Sequence, residues 1–286
     1  MITFPCAKIN LGLNIVSKRE NGYHNLETVF YPIPLYDALE IKYMDEKFPS
    51  DVACDLKITG NAVDCDEQSN LVVKAYNLLA QDYKLPRVHT HLVKRIPSQA
   101  GLGGGSADAA FMIRLLDERF RLNIGNPEME RYAAKLGADC AFFITANPED
   151  GDTCCFAEGI GDELMPVSGP NDNMQGYYLV LVKRNDIAIS TKEAYAAITP
   201  KKPAKCCRDI VRQPIDTWKD ELINDFEAPI FAMHPELASI KLRLYDLGAS
   251  YAAMSGSGSA IFGIFKQQPV GIEQQFDGMF AKVLKL

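Results

Sequence analysis

The sequence has few of the features that mark membrane, secreted or zinc-binding proteins. No apolar run approaches the ~20 residues that a membrane-spanning helix needs. The opening residues MITFPCAKINLGLNIV carry Lys8 inside their apolar part and lack a small-residue cleavage site, so we do not expect a signal peptide. The eight cysteines form no CxxC motif, and four of them stand as two adjacent pairs. This usage disfavours both a disulfide framework and tetrahedral zinc, and predicts reduced thiols in a cytoplasmic protein.

Basic clusters are also scarce. The longest contains Lys201, Lys202 and Lys205, which we interpret as a solvated loop, and the formal net charge is −7. This balance argues against nucleic acid or an anionic membrane as the main partner, although a local basic groove could still bind an anion. The 286 residues, 47% hydrophobic and 23% charged, are enough for two packed halves.

Strand and helix patterns follow one another without regular alternation, which predicts an α+β fold. Period-two patterns predict strands near residues 2–16, 26–31, 88–92 and 177–182. Helical spacing or helix stop signals mark residues 70–79, 107–122, 127–136 and 235–247. The turn-rich segment NPEDG, Asn147 to Gly151, predicts a boundary between an ATP-binding domain of residues 1–150 and a substrate-side domain of residues 151–286.

Glycine is concentrated in the segment PSQAGLGGGSADAAF, Pro97 to Phe111, which runs into a helical pattern. No lysine follows as in a P-loop, and Ser106 stands where a dinucleotide fingerprint has its third glycine. Clustered glycines at a helix start still let backbone N–H groups converge on an anion. We predict Ser106 at the N-cap, with its hydroxyl available to a phosphate-bound metal. The alternative is a tight strand-to-helix turn without a ligand.

Two charged residues stand in apolar surroundings. Lys8 lies between Ala7 and Ile9 in a predicted strand, and Asp139 precedes an apolar, strand-like run. Because an unpaired buried charge is expensive, each needs a partner, and each could be the other's. A carboxylate beside a lysine can deprotonate an alcohol while the ammonium stabilises an alkoxide or a phosphate. A purely structural ion pair is the alternative.

Three polar residues near the start of the chain are candidates for substrate contacts. Asn10 lies on the same strand face as Lys8 and could bind a substrate hydroxyl or satisfy neighbouring backbone. The turn at Gly22 presents Tyr23 and His24 side by side. An aromatic ring can stack on a base and an imidazole can hydrogen-bond its edge. A surface Tyr-His pair after a hairpin is the alternative.

Three stretches in order, PCAKINLGLNIVSKRENGYH, IPSQAGLGGGSADAA and AAMSGSGSAIFG, resemble the three motifs of the GHMP kinase superfamily. LGADCAFF and INDFE add to the resemblance, which runs from residue 2 to about residue 265. It implies a two-domain GHMP kinase fold, with a ribosomal-S5-domain-2-like N-terminal domain, a ferredoxin-like C-terminal domain and the active site between them. It also implies Mg²⁺-dependent transfer of the ATP γ-phosphate to the 2-hydroxyl of a cytidylated methylerythritol in non-mevalonate isopentenyl diphosphate synthesis.

The resemblance also implies roles for individual residues. Asp139 would be the catalytic base and Lys8 would polarise the hydroxyl. Tyr23 and Tyr195 would stack on the two faces of cytosine, and His24 would hydrogen-bond its edge. The residues that would bind substrate are Asn10, Tyr23, His24, Thr191 and Tyr195, and those that would bind ATP are Asn70, Lys94, Gly101, Gly103, Gly104, Gly105 and Ser106. The metal ligands are not assigned, and we expect a monomer or weak homodimer.

The sequence departs from the family pattern at a few positions. Cys6 stands for the usual proline, Asn21 for aspartate, and Cys140-Ala141 for Val-Pro. None of these changes removes a reactive group, although the last could alter how firmly Asp139 is aimed. The segment SGSGSA, Ser255 to Ala260, would either close over the substrate's phosphates or pack against the glycine loop. Two other functions remain open: a kinase of the same superfamily for homoserine or mevalonate, and a non-catalytic nucleotide-binding module.

Overall fold

The computed structural model describes residues 1–63, 65–149, 153–169 and 174–286. The chain forms two compact units, and each is built from several stretches of sequence. The first unit comprises Met1–Ala7, Leu35–Ser98 and Gly103–Asn147, and the second comprises Lys8–Pro34, Gln99–Leu102 and Pro148–Leu286. The predicted boundary segment at 147–151 lies partly outside the described residues.

The strands of the described residues are numbered in chain order. They are β1 (Ile2–Thr3), β2 (Cys6–Lys18), β3 (His24–Tyr36), β4 (Ala38–Tyr43), β5 (Cys54–Gly60), β6 (Val88–Lys94), β7 (Cys155–Glu158), β8 (Glu163–Pro166), β9 (Tyr178–Lys183), β10 (Tyr251–Met254), β11 (Ile261–Phe265) and β12 (Phe280–Lys285).

The helices of the described residues are numbered in the same way. They are α1 (Leu71–Leu79), α2 (Gly104–Phe120), α3 (Asn126–Ala134), α4 (Thr191–Ala196), α5 (Cys207–Ile210), α6 (Trp218–Glu221), α7 (Glu227–Met233), α8 (Pro235–Asp246) and α9 (Ile272–Gln275). Short 3₁₀ helices lie at Ala141–Ile144 and Ile215–Thr217.

The first unit is a sheet covered by helices. The strand order is β1-β4-β6-β5, with β5 and β6 parallel and the other pairs antiparallel. Helix α1 makes the crossover that a parallel pair requires, and it packs against α2 through the apolar faces of both helices. Alternate residues of β6 are buried, ending with Lys94. An ammonium group on that face needs partners inside the protein.

The second unit contains two further sheets. One is antiparallel throughout, in the order β10-β11-β9-β12, and the other has the order β2-β3-β7-β8. Helix α8 packs on β10 and β11 around a core that includes Phe226, Leu244 and Met254. Strand β2 is buried on both faces, so Lys8 and Asn10 are interior polar residues. Their hydrogen bonds must therefore be found within the protein.

The strands and helices that the sequence patterns predict lie close to observed elements, although many observed elements were not predicted. Strands β6 and β9 and helices α1, α3 and α8 match the predicted segments within a few residues. The prediction of a strand-like run after Asp139 is wrong, because Ala141–Ile144 forms a 3₁₀ helix. All four of its residues are buried. A short continuous apolar run fits a buried strand and a buried helical turn equally well, so periodicity could not separate the two.

Candidate active site

Helix α2 begins inside the glycine run. Gly103 precedes the helix with φ of +69°, which favours glycine. A Cβ at Gly104 would lie 2.9 Å from Ile96 Cγ2, whereas at Gly105 the nearest atom would be Leu71 Cδ1 at 3.7 Å. The first N–H groups of a helix have no partner within the helix. Because Gly105 is exposed, this helix start is suited to binding an anion.

Ser106 does not occupy the predicted N-cap position. The cap is Gly103, whose left-handed conformation starts the helix three residues before Ser106 and leaves no side-chain capping bond. Ser106 instead hydrogen-bonds the Cys140 thiol. A Cβ built at Gly137 would lie 3.0 Å from Cys140 Sγ and 3.8 Å from Ser106 Oγ. The glycine at 137 therefore lets these two side chains meet.

Asp139 lies half-buried in the turn between α3 and the 3₁₀ helix, next to Cys140. Burial raises the pKa of Cys140 to about 12, and the charge of Asp139 adds to this effect while the bond from Ser106 opposes it. The thiol is therefore neutral near pH 7 and adds no charge beside the carboxylate. Two predicted site residues of the first unit, Ser106 and Asp139, thus flank the same thiol.

In the second unit, Gly101 packs directly against the SGSGSA segment. Its φ is +72°, and a Cβ there would lie 1.9 Å from the Ser255 carbonyl oxygen. Ser255 Oγ donates to the Gly101 carbonyl at 2.9 Å, and Ala260 N donates to the Ala100 carbonyl at 3.2 Å. Only glycine is compatible with this approach. Of the two roles considered for SGSGSA, these contacts support packing against the glycine loop.

Asn224, within the INDFE motif, holds the same segment from its other side. Its Nδ2 donates to the carbonyls of Met254 and Gly256, at 2.8 Å each. Its Oδ1 accepts from Phe226 N at 3.0 Å. The side chain is buried and all three contacts are good, so Asn224 fixes the path of the loop.

Lys8 and Asn10 form a buried pair beside Gly101. Lys8 Nζ donates to Asn10 Oδ1 and to the Gly101 carbonyl, at 2.7 Å each. Lys8 is 4% exposed and Asn10 is 2% exposed. The sequence pattern predicts both residues on one strand face, and in the structure their side chains are in contact. Their pairing to the glycine loop fixes the position of the ammonium group.

Lys94 lies in the first unit between two buried carboxylates. Its Nζ donates to Asp108 Oδ2 at 2.6 Å and to Asp37 Oδ2. Asp37 Oδ1 also accepts from the backbone N–H groups of Arg95 and Ile96. Asp108 Oδ1 has no hydrogen-bond partner among the described residues. One ammonium group therefore serves two carboxyl groups, close to Gly104 at the start of α2.

Because two buried carboxyl groups share one ammonium group, the pKa values of Asp108 and Lys94 are both shifted. Burial raises the pKa of Asp108 to about 8; the charge of Lys94 opposes the rise and that of Asp37 adds to it. Burial alone would lower the pKa of Lys94, but the two carboxylates outweigh it and raise the value. We therefore assign a neutral carboxylic acid at Asp108 near pH 7.

Replacing Asp108 by asparagine should flatten the pH dependence of stability. The carboxyl has a pKa of 3.8 when unperturbed and of about 8 when folded, so between these values the folded state holds a proton that the unfolded state has lost. Stability from this group is therefore fully present below the lower value and falls as the pH rises to the higher one. Calorimetric Tm values at pH 6 and pH 8 should fall more steeply for wild type than for Asp108→Asn. Equal slopes would mean that Asp108 is ionised at both pH values.

The predicted cytosine-binding residues are only partly brought together. The rings of His24 and Tyr195 are stacked, with centroids 5.0 Å apart and planes 21° apart. Tyr195 also meets Phe226 edge-on, and Tyr23 is 60% exposed in its turn. A base between two rings needs about 3.5 Å on each side. It therefore does not fit between His24 and Tyr195 in this arrangement.

His24 is suited to reading the edge of a base. Burial and, to a lesser extent, the charge of Lys18 lower its pKa, so the ring is neutral near pH 7. A neutral imidazole offers one donor and one acceptor. Thr191 begins α4 and Tyr195 follows four residues later, so both lie on the same face of that helix.

Asn70 has a clear structural contact. It is the N-cap of α1, and its Oδ1 accepts from Val72 N at 2.9 Å.

The sequence patterns did not identify Asp37, Asp108, Asn224 or Thr28 as interior hydrogen-bonding residues. A signal was present for Asp108, because it is an acidic residue within an alanine-rich helical segment. For Asp37 and Thr28 the partners are distant in sequence, and no local pattern points to them.

Within the described ranges, no group of three or more His, Cys, Asp or Glu residues could hold a metal ion. No helix in those ranges is both long and apolar enough to cross a membrane.

Comparison with known proteins identifies relatives over the whole chain. Residues 70–147 match the N-terminal domain of GHMP kinases, and residues 209–280 match the C-terminal domain. A 4-diphosphocytidyl-2-C-methyl-D-erythritol kinase of Bacteroides fragilis is 50% identical over 280 residues, which cover 98% of this chain and 97% of the relative. A kinase of the same name from Parabacteroides distasonis is 49% identical over 275 residues, covering 96% and 95%.

Solved structures agree with this result. The crystal structure of a 4-(cytidine 5'-diphospho)-2C-methyl-D-erythritol kinase covers 100% of both chains, with a TM-score of 0.77 and 28% identity. A homoserine kinase from Cytophaga hutchinsonii has a TM-score of 0.61 at 16% identity, covering 98% of this chain and 95% of its own, and shares the fold. The predicted α+β, two-domain GHMP kinase fold is therefore confirmed. Because the similarity to the Bacteroides and Parabacteroides kinases extends over nearly their whole length, the chain belongs to the GHMP kinase superfamily and, within it, to the family of the 4-diphosphocytidyl-2-C-methyl-D-erythritol kinases.

Proposed function

We propose that this kinase transfers the γ-phosphoryl group of ATP to the 2-hydroxyl of 4-diphosphocytidyl-2-C-methyl-D-erythritol, a step of non-mevalonate isopentenyl diphosphate synthesis. The observation that carries this proposal is the 50% identity, over 98% of the chain, to a relative named for this substrate. The start of helix α2, where Gly105 is exposed and the cap residue Gly103 makes no side-chain hydrogen bond, supports a site for the phosphates of the donor.

We assign the proton transfer to Asp139. As the 2-hydroxyl oxygen attacks the γ-phosphorus, its proton passes to the carboxylate and the bond from phosphorus to the ADP oxygen breaks. A half-buried carboxylate suits this role, because it can later release the proton to water. Its neighbour Cys140 is neutral and does not repel the developing negative charge.

We assign stabilisation of the attacking oxygen and the transferred group to Lys8. Its ammonium group is held in place by Asn10 and the Gly101 carbonyl, so little reorganisation is needed when charge develops. We propose that Asn10 also contacts the substrate. A cation fixed before the reaction begins is the arrangement that phosphoryl transfer requires.

We propose that Gly101, Gly103, Gly104, Gly105 and Ser106 bind the phosphates of ATP, and that Asn70 and Lys94 lie near the adenosine. Mg²⁺ usually binds through substrate phosphates and waters with few protein ligands. The Ser106 hydroxyl, in the first turn of α2, fits a single ligand of this kind. When bound, the ion would neutralise charge on the phosphates.

We propose that Tyr23, His24, Thr191 and Tyr195 bind the cytidine end of the substrate. The neutral state of His24 supports hydrogen bonding to a base edge. The contact between His24 and Tyr195 supports a shared aromatic site. Since a base does not fit between those two rings, it would have to displace one ring or stack on the exposed Tyr23.

The test is ADP release with Mg-ATP and a panel of alcohols: 4-diphosphocytidyl-2-C-methyl-D-erythritol, homoserine, mevalonate and phosphomevalonate. We expect turnover with the cytidylated substrate alone, because a small aliphatic alcohol has no base that could stack in an aromatic site. Turnover with another alcohol would keep the kinase chemistry and overturn the cytidine site. Nucleotide binding without any turnover would favour a binding module.

The remaining expectations stay predictions. They are a monomer or weak homodimer in the cytoplasm, no nucleic-acid or membrane partner, and an ATP-binding part within residues 1–150 with a substrate-side part within 151–286.

A further inference from the structure

We propose that Thr28 is a positioning residue for phosphoryl transfer. It fixes the orientation of the Asn10 side-chain amide and, through that amide, the position of the Lys8 ammonium group. The inference rests on the proposed function in one respect, the role of Lys8 in the reaction. It adds a residue that the sequence motifs do not single out.

The four groups form an unbroken chain of hydrogen bonds in the second unit. Lys8 Nζ donates to Asn10 Oδ1 at 2.7 Å, and Asn10 Nδ2 donates to Thr28 Oγ1 at 2.9 Å. Thr28 Oγ1 in turn donates to the Gly12 carbonyl at 2.6 Å. Thr28 is 0% exposed, and Asn10 is 2% exposed. Solvent therefore does not compete for these bonds.

The direction of every bond in this chain is set by its two ends. A carbonyl oxygen such as that of Gly12 can only accept, so the single Thr28 hydroxyl proton must point to it. The lone pairs of Thr28 are then left to accept, which requires the NH₂ side of the Asn10 amide. At the other end an ammonium can only donate, which requires the oxygen side of the same amide. Both ends thus select one of the two amide orientations.

The reversed amide is excluded at both ends at once. It would place NH₂ against the Lys8 ammonium, two donors facing each other, and an oxygen against a Thr28 hydroxyl whose proton is already used. Without the Thr28 hydroxyl, only the Lys8 end would resist reversal or rotation, and a buried Nδ2 would lack its acceptor. An unsatisfied buried donor is costly, so the amide would turn or shift to find one. Either movement takes Oδ1 away from Lys8.

The acceptor at the far end of the chain is itself held firmly. Gly12 has φ of +69° within β2, and a Cβ there would lie 2.7 Å from Leu222 Cδ1 and 2.8 Å from Cys207 Cβ. A glycine of this kind in a strand marks a site where other groups approach the backbone closely. Thr28 is fixed on the other side by pairing of β3 with β7, opposite Ala157. The chain of bonds therefore ends on rigid backbone.

The test compares Thr28→Val, which keeps the shape and removes the hydroxyl, with Thr28→Ser, which keeps the hydroxyl. We expect kcat to fall roughly tenfold to hundredfold in Thr28→Val, with the KM values for both substrates little changed. Thr28→Ser should keep kcat within about threefold of wild type, because its hydroxyl can make both bonds. If Thr28 had only a structural role, Thr28→Val would lower Tm but would not lower kcat selectively while KM stays the same. Thr28→Ser would then also show no selective recovery of kcat.

Thr90→Val is the matched control. Thr90 is also buried in a strand, 2% exposed. Within the described part of the chain, its hydroxyl hydrogen-bonds only the Cys54 thiol, at 3.4 Å. It belongs to no part of the proposed machinery, so its loss should affect Tm and leave kcat unchanged. If Thr28→Val does not fold, Thr28→Ala removes the same hydroxyl without adding volume and serves for the same comparison.

The outcomes separate the inference from the proposed function. If wild type phosphorylates the cytidylated substrate and Thr28→Val keeps the wild-type kcat, the positioning role of Thr28 is overturned and the function stands. If wild type phosphorylates none of the alcohols, the function fails, and the inference fails with it. A fall in kcat that serine does not restore would also overturn the hydroxyl-based role.

Discussion

Asparagine in place of Asp139 should lower kcat by about 10²- to 10⁴-fold, the range over which general base catalysis contributes. The amide has the size of the carboxylate but cannot take the proton of the substrate hydroxyl. Binding of ATP should change little, because the proposed phosphate contacts come from the glycine run and the first turn of α2. The measurements are steady-state ADP release and calorimetric titration with ATP.

Asp216→Asn provides the control for this variant. Asp216 forms a surface ion pair with Lys266 at 2.6 Å, and both side chains are more than half exposed. Such pairs contribute little, so kcat and Tm should stay close to wild type. Unimpaired turnover in Asp139→Asn, with the control normal, would rule out Asp139 as the base.

Methionine in place of Lys94 should lower the free energy of unfolding by about 3–5 kcal/mol, the cost of leaving buried charge uncompensated. Lys94 is the only cation that the described residues place in hydrogen-bond contact with both Asp37 and Asp108. Methionine preserves the apolar length of the side chain, so the loss would come from the charge. Urea unfolding followed by circular dichroism measures it.

Two further variants locate the origin of that loss. Lys57→Met replaces an exposed lysine on β5 of the same sheet and should have little effect. Adding Asp37→Asn to Lys94→Met removes the other carboxyl that contacts Lys94 and should recover part of the lost stability, since residues in contact are coupled. A Lys94→Met protein as stable as wild type would show that removing the lysine leaves no buried charge uncompensated.

The periodicity of polar and apolar residues predicted where strands and helices occur more accurately than where they begin and end. The alternation at Ile9 to Ile15 correctly predicted a strand, and the Gly137 and Gly248 stop signals correctly limited α3 and α8. The helix start at Gly104 was missed, because the first turn of α2 consists of glycine and serine, which carry no apolar periodicity. The backbone conformation of Gly103, rather than a capping side chain, decides where that helix begins.

The sequence indicated that Lys8 must have an interior partner, but it did not indicate which residues the buried lysines contact. Burial cost alone indicated that Lys8 needs a partner, and the structure supplies Asn10 and the Gly101 carbonyl. The pairing of Lys8 with Asp139 stays a prediction. The partners of Lys94 could not be read from the sequence, since Asp37 is 57 positions away and lies on no shared periodic face. Contacts of this kind depend on strand order, which a single sequence does not encode locally.

The approach of Ser255 to Gly101 has a consequence for how the protein is made. The two residues are 154 positions apart in the chain. Chains grow from the N-terminus, so the glycine run leaves the ribosome long before the segment that supports it. The residues from Gln99 to Gly101 gain these contacts only after the segment from Ser255 to Ala260 has been synthesised. A chain stopped before residue 255 would therefore carry every proposed catalytic residue and still lack the support of its phosphate-binding loop.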